Sequence, residues 1–140
     1  MVSVQDKSSI KRICLVIALV SCSCTTEIPF EGDPMPPAQV ATYMKVVTPA
    51  SEYDTPPKFL HGFAPFFPER LAGKGHWGYA ELDFDIQTDG STNDVRLVEA
   101  TAYDFGRAAA RAVQRWKFAP AVKNGRPVRV HVRLPFTFRS

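Results

Sequence analysis

Polar and apolar residues alternate without a break from Tyr79 to Gln87. Ala80, Leu82, Phe84 and Ile86 fall on one side, and Tyr79, Glu81, Asp83, Asp85 and Gln87 on the other. A period of two predicts a strand with one buried face. Thr88-Asp89-Gly90-Ser91 follows, and Asp-Gly is a strong hairpin signal. Val95 and Leu97 then alternate with Asp94 and Arg96 in a second strand that ends near Ala100. The period changes next. Phe105, Ala109, Ala112, Val113 and Trp116 lie at i, i+4, i+7, i+8 and i+11, the face of a helix for which Thr101 and Asp104 offer caps. Pro120 and Asn124-Gly125 close that helix and turn the chain. A last alternating run points Val128, Val130, Val132, Leu134, Phe136 and Phe138 inward, and Arg129, His131, Arg133, Thr137 and Arg139 outward. A hairpin followed by a helix that returns the chain predicts a two-layer α+β domain. Its three-stranded antiparallel sheet has the order two-one-three, with the helix on the apolar face. Glu81, Asp83 and Asp85 then face Arg129, His131 and Arg133 on the open side, where opposite charges form cross-strand pairs.

The amino-terminal pattern is of another kind. Lys7, Lys11 and Arg12 precede an apolar run over residues 13–20, the form of a secretory signal and too short for a stable membrane span. The run ends in Leu19-Val20-Ser21-Cys22, which resembles the lipobox of bacterial lipoproteins. That resemblance implies cleavage before Cys22 and lipidation of its thiol, and two or more acyl chains hold a protein stably on a membrane. The alternatives are an ordinary signal cut at another small residue, or Cys24 as the acceptor in a poorer box. In lipoproteins of enterobacterial type, Ser23 after the cysteine implies passage to the outer membrane. Residues 22–54 are rich in Pro, Thr, Ser and acids, Glu31-Gly32-Asp33-Pro34-Met35-Pro36-Pro37 above all, and read as a flexible tether of about 30 Å root-mean-square span. The more apolar stretch 40–47 is expected either to form a short strand or to dock on the domain. The chain thus divides into a signal at 1–21, a tether at 22–54 and a domain at 55–140.

Composition narrows the function. The 140 residues allow one domain with appendages. Net charges of +2, −4 and +5 on the three segments set them apart, and the overall +3 does not argue for a nucleic acid partner. No cysteine follows Cys24, which excludes a disulfide framework and a cysteine-ligated zinc site in the domain. Glu81, Asp83 and Asp85 sit on a solvated face opposite arginines, not as a catalytic pair. His61, His76 and His131 lack metal-ligand spacing, so no metal, cofactor or catalytic residue is assigned, and no nucleophile–base pair supports an enzyme. Gly73-Lys74-Gly75 reads as a turn, and Arg107, Arg111 and Arg115 as a solvated helix face. The segment 63–68 is expected to pack against the sheet edge, with Trp77 and Trp116 in the core or at its rim. The last strand is an edge, consistent with Pro135 within it. An open edge either takes a peptide by strand addition or pairs with its own kind in a homodimer.

From about residue 55 to the end the chain resembles the TonB C-terminal domain family. The matching pieces are Pro65-Phe66-Phe67-Pro68-Glu69-Arg70-Leu71-Ala72, Gly75-His76-Trp77-Gly78, Phe84-Asp85-Ile86 with Asp89-Gly90, the run from Ala109 through Trp116-Lys117-Phe118-Ala119-Pro120-Ala121, and Asn124-Gly125-Arg126-Pro127-Val128. The resemblance implies a two-layer α+β domain with a three-stranded sheet and a short additional amino-terminal helix. It also implies docking on TonB-dependent outer-membrane receptors or another envelope protein. A receptor segment would add as a strand along Val128, Arg129, Val130, His131, Val132, Arg133 and Leu134. The uncleaved membrane helix and long proline-rich rod of a full energy transducer have no counterpart in this sequence. The expected protein is therefore a periplasm-facing, lipid-anchored binding module of a Gram-negative envelope, with outer-membrane residence favoured. The alternative is a structural envelope lipoprotein that self-pairs or serves another complex without transmitting force.

Overall fold

A computed structural model of the chain describes residues 2–5, 33–73, 75 and 77–139. In chain order its elements are β1 (Val2–Gln5), α1 (Pro37–Tyr43), β2 (Lys45–Val46), β3 (Lys58–His61), β4 (Trp77–Ile86), β5 (Thr92–Ala100), α2 (Tyr103–Val113), β6 (Lys117–Ala119), β7 (Ala121–Lys123), β8 (Arg126–Val128) and β9 (Val130–Arg139). Single 3-10 turns lie at Ala50–Glu52 and Glu69–Leu71. The signal run, Cys22, the tether as far as residue 32, Lys74 and His76 lie outside the described residues.

The two long alternating runs become β4 and β9, which pair antiparallel through ten consecutive partners from Trp77↔Arg139 to Ile86↔Val130. Their even-numbered side chains form the core: Leu82, Phe84, Ile86, Val132, Leu134, Phe136 and Phe138 are fully buried. Removing such side chains from water contributes about 1.5–3 kcal/mol each before conformational entropy is charged. α2 covers this face with Phe105, Ala109, Ala112 and Val113. Trp116 lies beyond the helix end, where its amide meets the Val113 carbonyl at 3.0 Å, yet it keeps its place in the apolar register. It stacks edge-on to Phe59 at 4.8 Å, and its indole N–H donates to the Phe63 carbonyl at 2.9 Å. Thr101 does not cap α2: its hydroxyl accepts the Tyr79 amide at 3.0 Å, across the sheet.

The hairpin turn after β4 depends on Gly90 twice. Its φ is +79°, and a Cβ there would lie 1.9 Å from the Phe118 carbonyl oxygen. Its own carbonyl accepts the Phe118 amide at 2.9 Å, which ties the turn to β6.

Several expectations are corrected. The main sheet is mixed and has five strands, not three antiparallel ones. Its order is β1-β9-β4-β5, with β2 also on β9. The signal and tether regions supply the two extra strands. β5 is irregular, with register shifts against β4 and a positive φ at Asp94, so Leu97 and Val98 are exposed by 42% and 44% rather than alternating cleanly. Asn124-Gly125, with φ of 50° and 75°, forms the turn of a separate β7–β8 hairpin. Val128 belongs to that hairpin and Arg129 to neither strand, so the last strand begins at Val130.

From Asp33 onward the supposed tether is packed against the domain. Met35 and Val40 are buried in the core, and Met35 N–H donates to the Gly62 carbonyl at 2.9 Å. Thr55 and Val122 exchange backbone hydrogen bonds at 3.0 and 3.1 Å. The stretch 40–47, expected as a strand or a docked segment, is the end of α1 followed by β2.

Candidate functional site

The outer edge of β9 is the feature from which a partner-binding role was expected, and its geometry follows from strand alternation. His131 turns its backbone groups away from β4. Its carbonyl accepts the amides of Val47 at 2.8 Å and Thr48 at 3.3 Å, and its amide donates to Thr48 Oγ1 at 2.7 Å. The β4–β9 register is continuous, so the backbone groups of Arg133, Pro135, Thr137 and Arg139 face outward too. Tyr79 agrees from the other side: it is opposite Thr137 and turns its backbone groups toward Thr101 of the neighbouring chain segment.

This edge is not open, which corrects the expectation of a free border over 128–134. β2 lies antiparallel on it, Lys45 opposite Arg133 and Val46 opposite Val132. β1 lies parallel on it, from Val2 opposite Phe136 to Gln5 opposite Arg139. Thr137 Oγ1 donates to the Val2 carbonyl at 2.9 Å, and the Val2 side chain is fully buried. Neither strand pairs with Leu134 or Pro135. That break explains how proline is tolerated inside a strand paired on both edges. Its missing N–H faces outward, where no neighbour asks for it.

On the open face, the charges expected to meet do so through side chains. Arg133 grips Asp83 with two hydrogen bonds, Nε to Oδ1 at 2.6 Å and a terminal nitrogen to Oδ2 at 2.9 Å. His131 Nδ1–H donates to Asp85 at 2.7 Å, and its Nε2 is 3.4 Å from Asp83. Arg129 reaches Asp85 at 3.8 Å. The Arg133 hydrogen bonds hold the Asp83 carboxyl below its ordinary value, against a smaller opposing effect of burial. Asp83 in turn raises the Arg133 guanidinium. Glu81 stands opposite Pro135, and its charge adds only a minor contribution to the rise at Arg133. The face is a charge-paired platform beside the edge, and its pairs hold the β9 backbone in place.

Of the proposed contact residues, Val130, Val132 and Leu134 point into the core and His131 and Arg133 lie on the open face, while Val128 and Arg129 lie before the strand. The outward backbone groups at Thr137 and Arg139 and the pairing segment at residues 2–5 were missed, and the stretch 40–47, expected as a short strand or a docked segment, was not assigned to β9. Each carried a signal. Val2-Ser3-Val4-Gln5 alternates with period two, and Lys45-Val46-Val47-Thr48 is rich in β-branched residues. Among the described residues no group of three His, Cys, Asp or Glu side chains is placed to hold a metal ion. No described helix is long and apolar enough to cross a membrane. The aromatic segment splits: Phe67 is buried edge-on against Phe105 at 5.5 Å, while Phe63 and Phe66 are partly exposed. Trp77 is 69% exposed, on the rim.

Comparison with known proteins matches residues 64–140 to the family model described as Gram-negative bacterial TonB protein C-terminal. Protein TonB of Yersinia enterocolitica is 31% identical over 97 residues, which are 64% of this chain and 37% of that protein. Protein tonB2 of Pseudomonas aeruginosa is 27% identical over 82 residues, 58% of this chain and 30% of that protein. The chain therefore spans about a third of the length of the curated relatives it matches. The solution NMR structure of the Pseudomonas aeruginosa TonB CTD aligns with a TM-score of 0.49 at 25% identity, covering 69% of this chain and 91% of that one.

Proposed function

The chain belongs to the TonB C-terminal domain family, and from that premise we propose that it is a periplasmic binding module that captures an extended segment of a membrane partner on the outer edge of β9. The observation that carries this reading is that the edge already holds two strands, one in each direction. An edge that seats both a parallel and an antiparallel strand has its amides and carbonyls correctly spaced for a guest. The partner class is a TonB-dependent receptor or another envelope protein, in a TonB-type energy-linked process. The module is held to its membrane, the outer one on this reading, by a lipid on Cys22.

Lipid anchoring and edge binding are linked. Cleavage before Cys22 removes residues 2–5 and with them β1. The mature edge is then free over residues 136–139, beside the slot that Val2 fills in the uncut chain. The binding positions shift accordingly from the expected 128–134 toward the outward backbone groups of Thr137 and Arg139. Val130 and Val132 turn their amides toward β4, so proline there would break the fold before it tested binding.

The test is capture of synthetic peptides taken from the periplasmic ends of receptors encoded in the same genome, compared between wild type and Thr137→Pro. Proline at 137 removes an outward donor and leaves the β4 pairing intact. A tenfold or greater loss of capture with unchanged circular dichroism is expected, and equal capture by the two proteins sinks the reading. Labelling with a palmitate analogue in wild type and Cys22→Ala tests the anchor separately. The alternative, a structural lipoprotein that self-pairs through the same edge, predicts a concentration-dependent dimer that Thr137→Pro also abolishes.

A further inference from the structure

Removing β1 frees only residues 136–139, and a four-residue ladder is short for a stable strand pairing. The outward groups of β9 before Leu134 are held by residues 45–48. His131 spends both its amide and its carbonyl on Val47 and Thr48, and Arg133 faces Lys45. A backbone group occupied in this way cannot serve a guest strand as well. We propose that residues 45–48 form an autoinhibitory strap, which must leave β9 before an extended peptide can pair along the whole outer edge. The inference rests on the strand-addition reading above and adds its regulation.

Three observations support it. The strap is a minimal strand: β2 has two residues in register, against ten for β4 on the inner side of the same strand. It buries little, since Met44 and Val46 are only partly buried, Lys45 is exposed and Val47 is 46% exposed. It is fastened on both sides by contacts other than its own pairing with β9. Upstream, Val40 is buried in the core and Met35 is bonded to Gly62. Downstream, Asp54 N–H donates to the Val122 carbonyl at 2.7 Å and Thr55 pairs with Val122. Release of the strap therefore leaves α1 and the β7–β8 hairpin seated, and the strap can return as an intramolecular competitor. Local opening of this kind is expected where buried contacts are few and the backbone bonds are exposed.

The strap covers the proximal half of the edge and β1 the distal half, and Leu134 and Pro135 separate them. The two halves are thus controlled by different events: signal cleavage clears one, and displacement by a long guest clears the other. A guest that pairs with residues 136–139 first would then advance past Pro135 and peel the strap. The proline offers its outward carbonyl but no donor at the crossing, so the guest gains less there than at its neighbours until the strap moves.

Hydrogen exchange by NMR on the full chain tests the strap without any ligand. The amides of Val47, Thr48 and His131 should exchange about 100-fold faster than that of Val132, which faces β4 in the same strand. Thr48→Val, which removes the acceptor for His131, should speed the His131 amide about tenfold further. Equal rates for His131 and Val132, both at the rate of global unfolding, would overturn the strap. A second measurement reads its consequence. In a Val2→Asp background, which expels the chain's own β1, a synthetic peptide of residues 43–50, which pairs with β9 in the strap's own register, is supplied in trans. Its affinity should be about tenfold higher when Thr48→Val is added. Equal affinities would overturn autoinhibition while leaving edge binding in place. No binding by either protein would overturn the strap and the strand-addition reading together.

Discussion

The two edges of β9 belong to one strand, with one set of side chains, and behave as different structures. Along the inner edge, ten residues pair with β4 without an irregularity, and every second side chain on both strands is buried. Along the outer edge, two short segments of opposite direction share the same length, broken at Leu134 and Pro135. The difference does not lie in β9, whose hydrogen-bonding groups alternate regularly to left and right. It lies in what each neighbour brings. β4 brings its own buried face and a tight hairpin to β5, so its pairing is cooperative with the core. β2 brings one half-buried valine, and Val47 and Thr48 after it add three hydrogen bonds with His131. A strand is therefore permanently or exchangeably paired according to the apolar surface its partner buries, because hydrogen bonds alone contribute little net stability.

The comparison breaks most sharply through the core. Phe84→Ala should cost about 3–5 kcal/mol, read as a shifted urea midpoint, because it opens a cavity on the inner side under Phe118. Next is Gly90→Ala, which combines a left-handed backbone with a collision at the Phe118 carbonyl. It should cost roughly 2–4 kcal/mol in the same assay. Smaller still is Val46→Ala on the strap, at about 1 kcal/mol or less, with faster exchange of the His131 amide and little change in the global midpoint. A Val46→Ala loss as large as that of Phe84→Ala would erase the distinction between the two edges.

The open face gives the finest test, through pH. The Asp83 carboxyl sits below its ordinary value of 3.8 because Arg133 hydrogen-bonds to its charged form. Its contribution to stability is therefore complete above that value and is lost as pH falls through the lowered native one. Denaturation midpoints for wild type and Asp83→Asn should differ at pH 6 and converge near pH 2. A difference that persists undiminished at pH 2 would show that the pair does not act through ionisation.

Much of this was legible in the residues. The period-two runs located β4 and β9, and the period of α2 placed Phe105, Ala109, Ala112 and Val113 on its buried face. The facing charges of Asp83 with Arg133 and Asp85 with His131 were also foreseen, because alternation fixes which side chains share a face. The family resemblance holds over residues 64–140. The helix was read one turn too long, because the apolar register runs on to Trp116 after the helical hydrogen bonds have ended. Asn124-Gly125 was seen as a turn but not as the turn of its own hairpin, since the flanking Ala121–Lys123 and Arg126–Val128 are too short to show a period.

By itself the chain determined the buried face of its sheet, the helix laid on it and the charged platform opposite, all of them local periodicities enforced by the hydrophobic effect. Only the tertiary structure decided who occupies the outer edge of β9. That pairing joins residues more than eighty positions apart through backbone groups that every amino acid carries. Side-chain pattern marks the two segments as strand-prone but does not name their partner, so the occupancy of this edge became visible only when the chain was folded.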